Sequence, residues 1–119
     1  MQYLDAQRLR IYLGEDKRHN GHPLHEAIVA KARSLAVAGL TVFRGSQGCG
    51  HSTRLHSAEV LFSEDLPLVI ELIDYLPRLQ PLIDALLAVD GLGLLTLEPV
   101  HVLQPDRLEA VITGLPPVT

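Results

Sequence analysis

With 119 residues, the chain is long enough for one domain with a hydrophobic core that needs no disulfide or metal staples. Its 47% hydrophobic and 20% charged residues exclude wholesale disorder, and a net charge of −4 with no Trp leaves neither a basic stripe nor a base-stacking platform for nucleic acid. A single cysteine, Cys49, excludes an internal disulfide and fits a cytoplasmic setting, and the aliphatic runs are broken by Glu71, Asp74 and Pro77 before they reach a membrane-inserting length.

Taken in chain order, residues 8–13 alternate, with Leu9, Ile11 and Leu13 on one side and Arg8, Arg10 and Tyr12 on the other, which predicts a half-buried strand. A polar loop follows from Gly14 to Gly21, and His22-Pro23 opens a helix with Glu26 near its positive end. Leu24, Ala27, Ile28, Ala32 and Leu35 recur at helical spacing as its core face, and Gly39 is expected to end it. Residues 40–44 read as a second strand, and 45–54, with three glycines and no periodicity, as a long loop. Residues 55–62 regain some order as a short strand or a helical turn.

Pro67 can begin but not centre a strand, so the third strand is placed at 68–73. It is apolar on both faces, Leu68, Ile70 and Leu72 on one and Val69 and Ile73 around Glu71 on the other, which predicts a central strand covered once by helices and once by a partner subunit. A second helix starting near Arg78 would put Pro81 at its fourth position, where a missing N–H is harmless, with Leu79, Leu82, Ile83, Leu86 and Leu87 facing the core and a stop near Asp90-Gly91. A last core strand covers 92–98, and 99–103 adds a short C-terminal edge strand. The expected fold is α+β: a ferredoxin-like β-α-β-β-α-β sandwich, one domain over residues 1–119, with two helices on one face of a four-stranded antiparallel sheet.

Two segments are candidate binding elements. Gly45, Gly48 and Gly50, with Ser46, Gln47, Ser52, Thr53 and Arg54, combine close backbone approach with hydroxyls and a guanidinium, the parts of an anion cradle; the same residues also suit a plain surface connection. The spacing matches neither a P-loop nor a dinucleotide fingerprint. Asp90-Gly91-Leu92-Gly93 is either a helix stop with a tight turn or a backbone surface for a ligand held between subunits.

His22, His25, His51 and His56 with Cys49 are metal-ligating residue types, yet no pair has a ligand spacing, so no metal site is assigned. Cys49, His51 or His56, and Glu64 or Asp65 can be drawn as a triad, but nothing in their sequence holds them rigidly. Glu59, Glu71 and Glu98 are not a catalytic carboxylate pair, since alternation puts Glu71 on the outer sheet face. No catalytic residue is assigned, and the chain is expected to bind or signal rather than to be an enzyme.

The stretches LRIYLGE, HPLHEAIVAKARSLAVAGLTVFRGSQGCG, RLHSAEVLFSEDLPLVIELID and GLLTLEPVHV together resemble a family of short bacterial and archaeal proteins in the PII-like signalling superfamily. That resemblance implies a homotrimer with inward-facing sheets, nucleotides in the clefts between subunits, and a mobile loop that contacts a membrane transporter or an enzyme partner. By position the loop is 45–57, the cleft takes Gly45, Gln47 and Arg54, and the turn across it is Gly91 and Gly93. The turn has no Lys and the last strand no Arg to neutralise a triphosphate, so the resemblance points to a smaller adenine nucleotide such as AMP. The alternatives are a metal-binding trimer resembling copper-tolerance proteins, in which the loop histidines and Cys49 would converge, and a structural accessory trimer without ligand.

Overall fold

Alternating apolar side chains build one four-stranded antiparallel sheet in the computed structural model, which describes residues 3–49, 55–57 and 66–103. Along the chain come β1 (Leu4–Gly14), β2 (Arg18–His19), β3 (His22–Pro23), α1 (Leu24–Ser34), β4 (Gly39–Arg44), β5 (Gln47–Cys49), β6 (Leu55–Ser57), β7 (Pro67–Asp74), α2 (Leu76–Leu87) and β8 (Leu94–Val102). The main sheet has the order β4-β7-β1-β8, with Leu9 opposite both Leu72 and Leu97. Each helix therefore links two parallel strands that have a third strand between them, the interleaving that defines the ferredoxin-like fold.

The period of two along the central strands fixes which face is dry. Leu9, Ile11 and Leu13 of β1 and Leu68, Ile70 and Leu72 of β7 are buried against Leu24, Ile28 and Ala32 of α1 and Leu79, Leu82 and Leu86 of α2. Each such Leu or Ile contributes about 1.5–3 kcal/mol by leaving water. The opposite face carries Arg8, Arg10 and Tyr12 of β1, Val69, Glu71 and Ile73 of β7, Phe43 of β4 and Leu94 of β8, read from the strand registers. On the two edge strands, Phe43 keeps 47% of its surface exposed and Leu94 59%.

Several element ends differ from the sequence expectation. β1 is longer, beginning at Leu4 rather than residue 8, because β8 pairs with it from Leu4 to Tyr12. α1 ends at Ser34, and Gly39 starts β4 instead of ending the helix. The stop is made by Ala36 at φ 53, with Val37 N–H donating to Ala32 O (3.4 Å) and Ala36 N–H to Arg33 O (3.0 Å), the bonds of a Schellman motif. Ala27 is exposed, and Val29 packs on the core in its place.

α2 begins at Leu76, so Pro77 falls in the first turn and Pro81 sits inside the helix at its sixth position, not its fourth. Both prolines are exposed, so the Pro77 carbonyl that lacks a helical donor lies on the solvated side. The expected separate strand at 99–103 merges into β8, which runs unbroken from Leu94 to Val102. β8 is an edge strand, where Pro99 can sit without removing a ladder bond. The expected structureless loop after β4 is instead closed at its base: β5 and β6 pair antiparallel, with Gln47 opposite Ser57 and Cys49 opposite Leu55.

Candidate functional site

The Gly45 and Gly91–Gly93 elements singled out by the sequence lie at one end of the sheet. β1 leaves the sheet there at Gly14 and β4 at Arg44, while β7 enters at Pro67 and β8 at Leu94. Backbone bonds tie the loops together: Glu15 N–H donates to Leu66 O (2.8 Å) and Gly45 N–H to Pro67 O (2.7 Å). A Cβ at Gly45 would come within 2.8 Å of Pro67 Cγ, so glycine is what lets β4 turn tightly over the start of β7. Arg44, one residue earlier, pairs with Glu15, and that hydrogen bond raises the guanidinium pKa. Arg44, which with Arg54 brackets the glycine segment, is thus committed to a carboxylate of its own chain.

At the other edge, Gly91 has φ +66 and Gly93 φ +122, conformations that disfavour any side chain. A Cβ on Gly93 would lie 2.2 Å from Tyr12 O, so the residue must be glycine for β8 to start against the end of β1. A Cβ on Gly91 would lie 2.9 Å from the Nζ of Lys17, which places that ammonium directly at the turn.

Gly45 and Gly93 share an end of the sheet but not an edge. β4 and β8 are separated by β7 and β1, three strand spacings or about 14 Å. Within one chain the two glycine elements do not face each other. Gln47 and Gly48 lie in β5, whose backbone continues from Gly45. Gly50 and Arg54, and with them His51, Glu59, Glu64 and Asp65, lie outside the described residues.

Elsewhere, Glu71 is on the outer face as alternation predicts, where it accepts a hydrogen bond from Arg10 Nε (3.0 Å) while Arg8 Nε bonds Glu98 (2.9 Å). Both glutamates are thereby neutralised within the chain, and the bond to Glu71 raises the Arg10 pKa. His19 and His22 are cross-strand partners in the β2–β3 hairpin, and His25 Nδ1 is buried with no partner among the described residues. Among the described residues no group of three or more His, Cys, Asp or Glu could hold a metal, and no helix is long and apolar enough to cross a membrane. Composition missed Lys17, because its role at the turn depends on which loops share one end of the sheet.

The fold and sequence pattern recur in known proteins. A UPF0166 protein of Aquifex aeolicus (strain VF5) is 28% identical over 104 residues, covering 87% of this chain and 98% of the relative. A PII-like signaling protein from Thermus thermophilus superposes with a TM-score of 0.66 at 14% identity, covering 91% of this chain and 99% of that one. CPII, a nitrogen regulatory PII-like protein from Thiomonas intermedia K12, superposes in its form bound to ADP, AMP and bicarbonate with a TM-score of 0.60 at 17% identity, covering 89% and 95%. The model of the DUF190 family, described as "Uncharacterized ACR", matches residues 6–102. The chain therefore belongs to the DUF190 family and has the PII-like, ferredoxin-like fold.

Proposed function

We propose that the chain is a PII-like regulatory protein that assembles as a homotrimer and binds an adenine nucleotide, AMP or ADP, in clefts between subunits. The observation that carries this reading is the placement of the two glycine elements at the same end but on opposite edges of the sheet. A neighbouring copy can bring one chain's Gly45 segment against another's Gly91–Gly93 turn, which a single chain cannot do. The open outer face, with Phe43, Val69, Ile73 and Leu94 around the Arg8, Arg10, Glu71 and Glu98 network, supports a covering subunit. The nucleotides in CPII, a protein of the same fold, support the ligand class.

In this reading Gly45, Gln47, Gly48, Gly50 and Arg54 of one subunit, and Gly91 and Gly93 of the next, line the cleft. Bound nucleotide favours one arrangement of the 45–57 segment, and a transporter or enzyme partner binds that arrangement. No bond is made or broken: the effector acts by its differential affinity for two states, each tenfold of preference being worth about 1.4 kcal/mol. Calorimetric titration with AMP, ADP, ATP, cyclic nucleotides and bicarbonate tests the reading. Saturable binding of AMP or ADP, with ATP weaker, is expected; a folded trimer silent to all of them overturns it.

A further inference from the structure

Lys17 stands in the turn between β1 and the β2–β3 hairpin, and its backbone is held on both sides. Its N–H donates to Gly14 O (3.2 Å) and its carbonyl accepts from Leu24 N–H (2.8 Å), the first residue of α1. The hairpin beyond it closes through Asn20 at φ 53 and Gly21 at φ +79, the positive pair of angles of a tight I′-type turn. This support aims the side chain across the end of the sheet, onto the turn that joins α2 to β8. There its Nζ lies 2.9 Å from the point a Cβ on Gly91 would occupy. Among the described residues no carboxylate pairs with it, whereas Arg44 at the same end is taken by Glu15.

The turn itself offers donors. Gly91 is in the left-handed conformation, and among the described residues no backbone carbonyl takes up the N–H groups of Asp90 or Gly91. Successive amides around a left-handed residue form an anion-binding concavity. An ammonium beside a left-handed turn, with no carboxylate partner among the described residues, is an arrangement for a phosphate oxygen, and it supplies from a distant part of the chain the cation that residues 90–93 lack.

We infer that Lys17 is the phosphate-binding cation of the effector site, acting with the Gly91 turn of its own subunit. This rests on the nucleotide reading above and deepens it. Lys17 sets the ligand class as one carrying a phosphate, and one ammonium at the turn suits a mono- or diphosphate better than a triphosphate. A lysine is also a point charge that needs no fixed planar geometry, so either phosphate ester or pyrophosphate satisfies it.

The test compares the whole chain with Lys17→Met and Lys17→Arg in calorimetric titrations with AMP, ADP, adenosine and pyrophosphate, circular dichroism confirming the fold of each. Loss of a charge-assisted bond predicts about tenfold weaker AMP and ADP binding in Lys17→Met, partial recovery in Lys17→Arg, and unchanged adenosine binding. Binding of AMP and ADP equal in Lys17→Met and the parent chain overturns the assignment but leaves the nucleotide reading standing. Pyrophosphate binding that depends on Lys17 in a chain silent to nucleotides upholds the assignment and overturns that reading. A parent chain that binds neither overturns both.

Discussion

Asp74 shows how one residue can hold three segments in place. It is fully buried at the end of β7, and its carboxylate accepts bonds from Ala38 N–H (3.1 Å), Tyr75 N–H (2.7 Å) and Arg78 Nε (3.2 Å). Arg78 in turn donates to the carbonyls of Leu35 and Ala36. The end of α1, the start of β4 and the start of α2 are thus fastened to one buried charge. Removing one partner of a buried pair typically costs about 3–5 kcal/mol, because the other is left desolvated. Asp74→Ala is expected to lower unfolding free energy in urea by about 3 kcal/mol, and Asp74→Asn, which keeps the shape, by about half as much. A loss below about 1 kcal/mol for Asp74→Ala would contradict this role.

At the scale of elements, the helix ends are where conformation and composition part. α1 stops at a Schellman motif whose left-handed position is Ala36, a residue with a Cβ, although the sequence places glycine only three residues later. A left-handed non-glycine residue costs about 1–2 kcal/mol, so Ala36→Gly is expected to stabilise the chain by about 1 kcal/mol and raise the melting temperature; an unchanged or lower melting temperature would show that the strain is absent.

Legibility follows burial. β1 and β7 are central, and Leu9, Ile11, Leu13, Leu68, Ile70 and Leu72 announce them by strict alternation. The edge strands β4 and β8 are exposed on both faces at many positions, so their limits leave little pattern, and β8 runs through Pro99 without one. Pro81 misled for the same reason: on a solvated helix face an absent N–H is tolerated, so the proline does not mark the start of α2. In the site, the glycines were visible as punctuation, whereas Lys17 and the Arg44–Glu15 pair depend on the β4-β7-β1-β8 order and could not be found by spacing along the chain.

At the scale of the molecule, ligand binding in the proposed trimer depends on assembly, because its cleft exists only between subunits. Phe43 lies on the open face of the edge strand β4, away from the helical core. Phe43→Asp is expected to leave the fold intact by circular dichroism, move the solution mass toward the monomer, and abolish nucleotide binding together with assembly. Retained nucleotide binding in a monomeric variant would separate the two.

The most direct test of the central claim is native mass spectrometry of the whole chain with AMP and ADP. An assembly of three times the 13.0 kDa chain mass is expected, carrying up to one nucleotide per subunit, with no nucleotide on any residual monomer. A folded trimer that carries none, or a monomer that binds as well as the trimer, would contradict it.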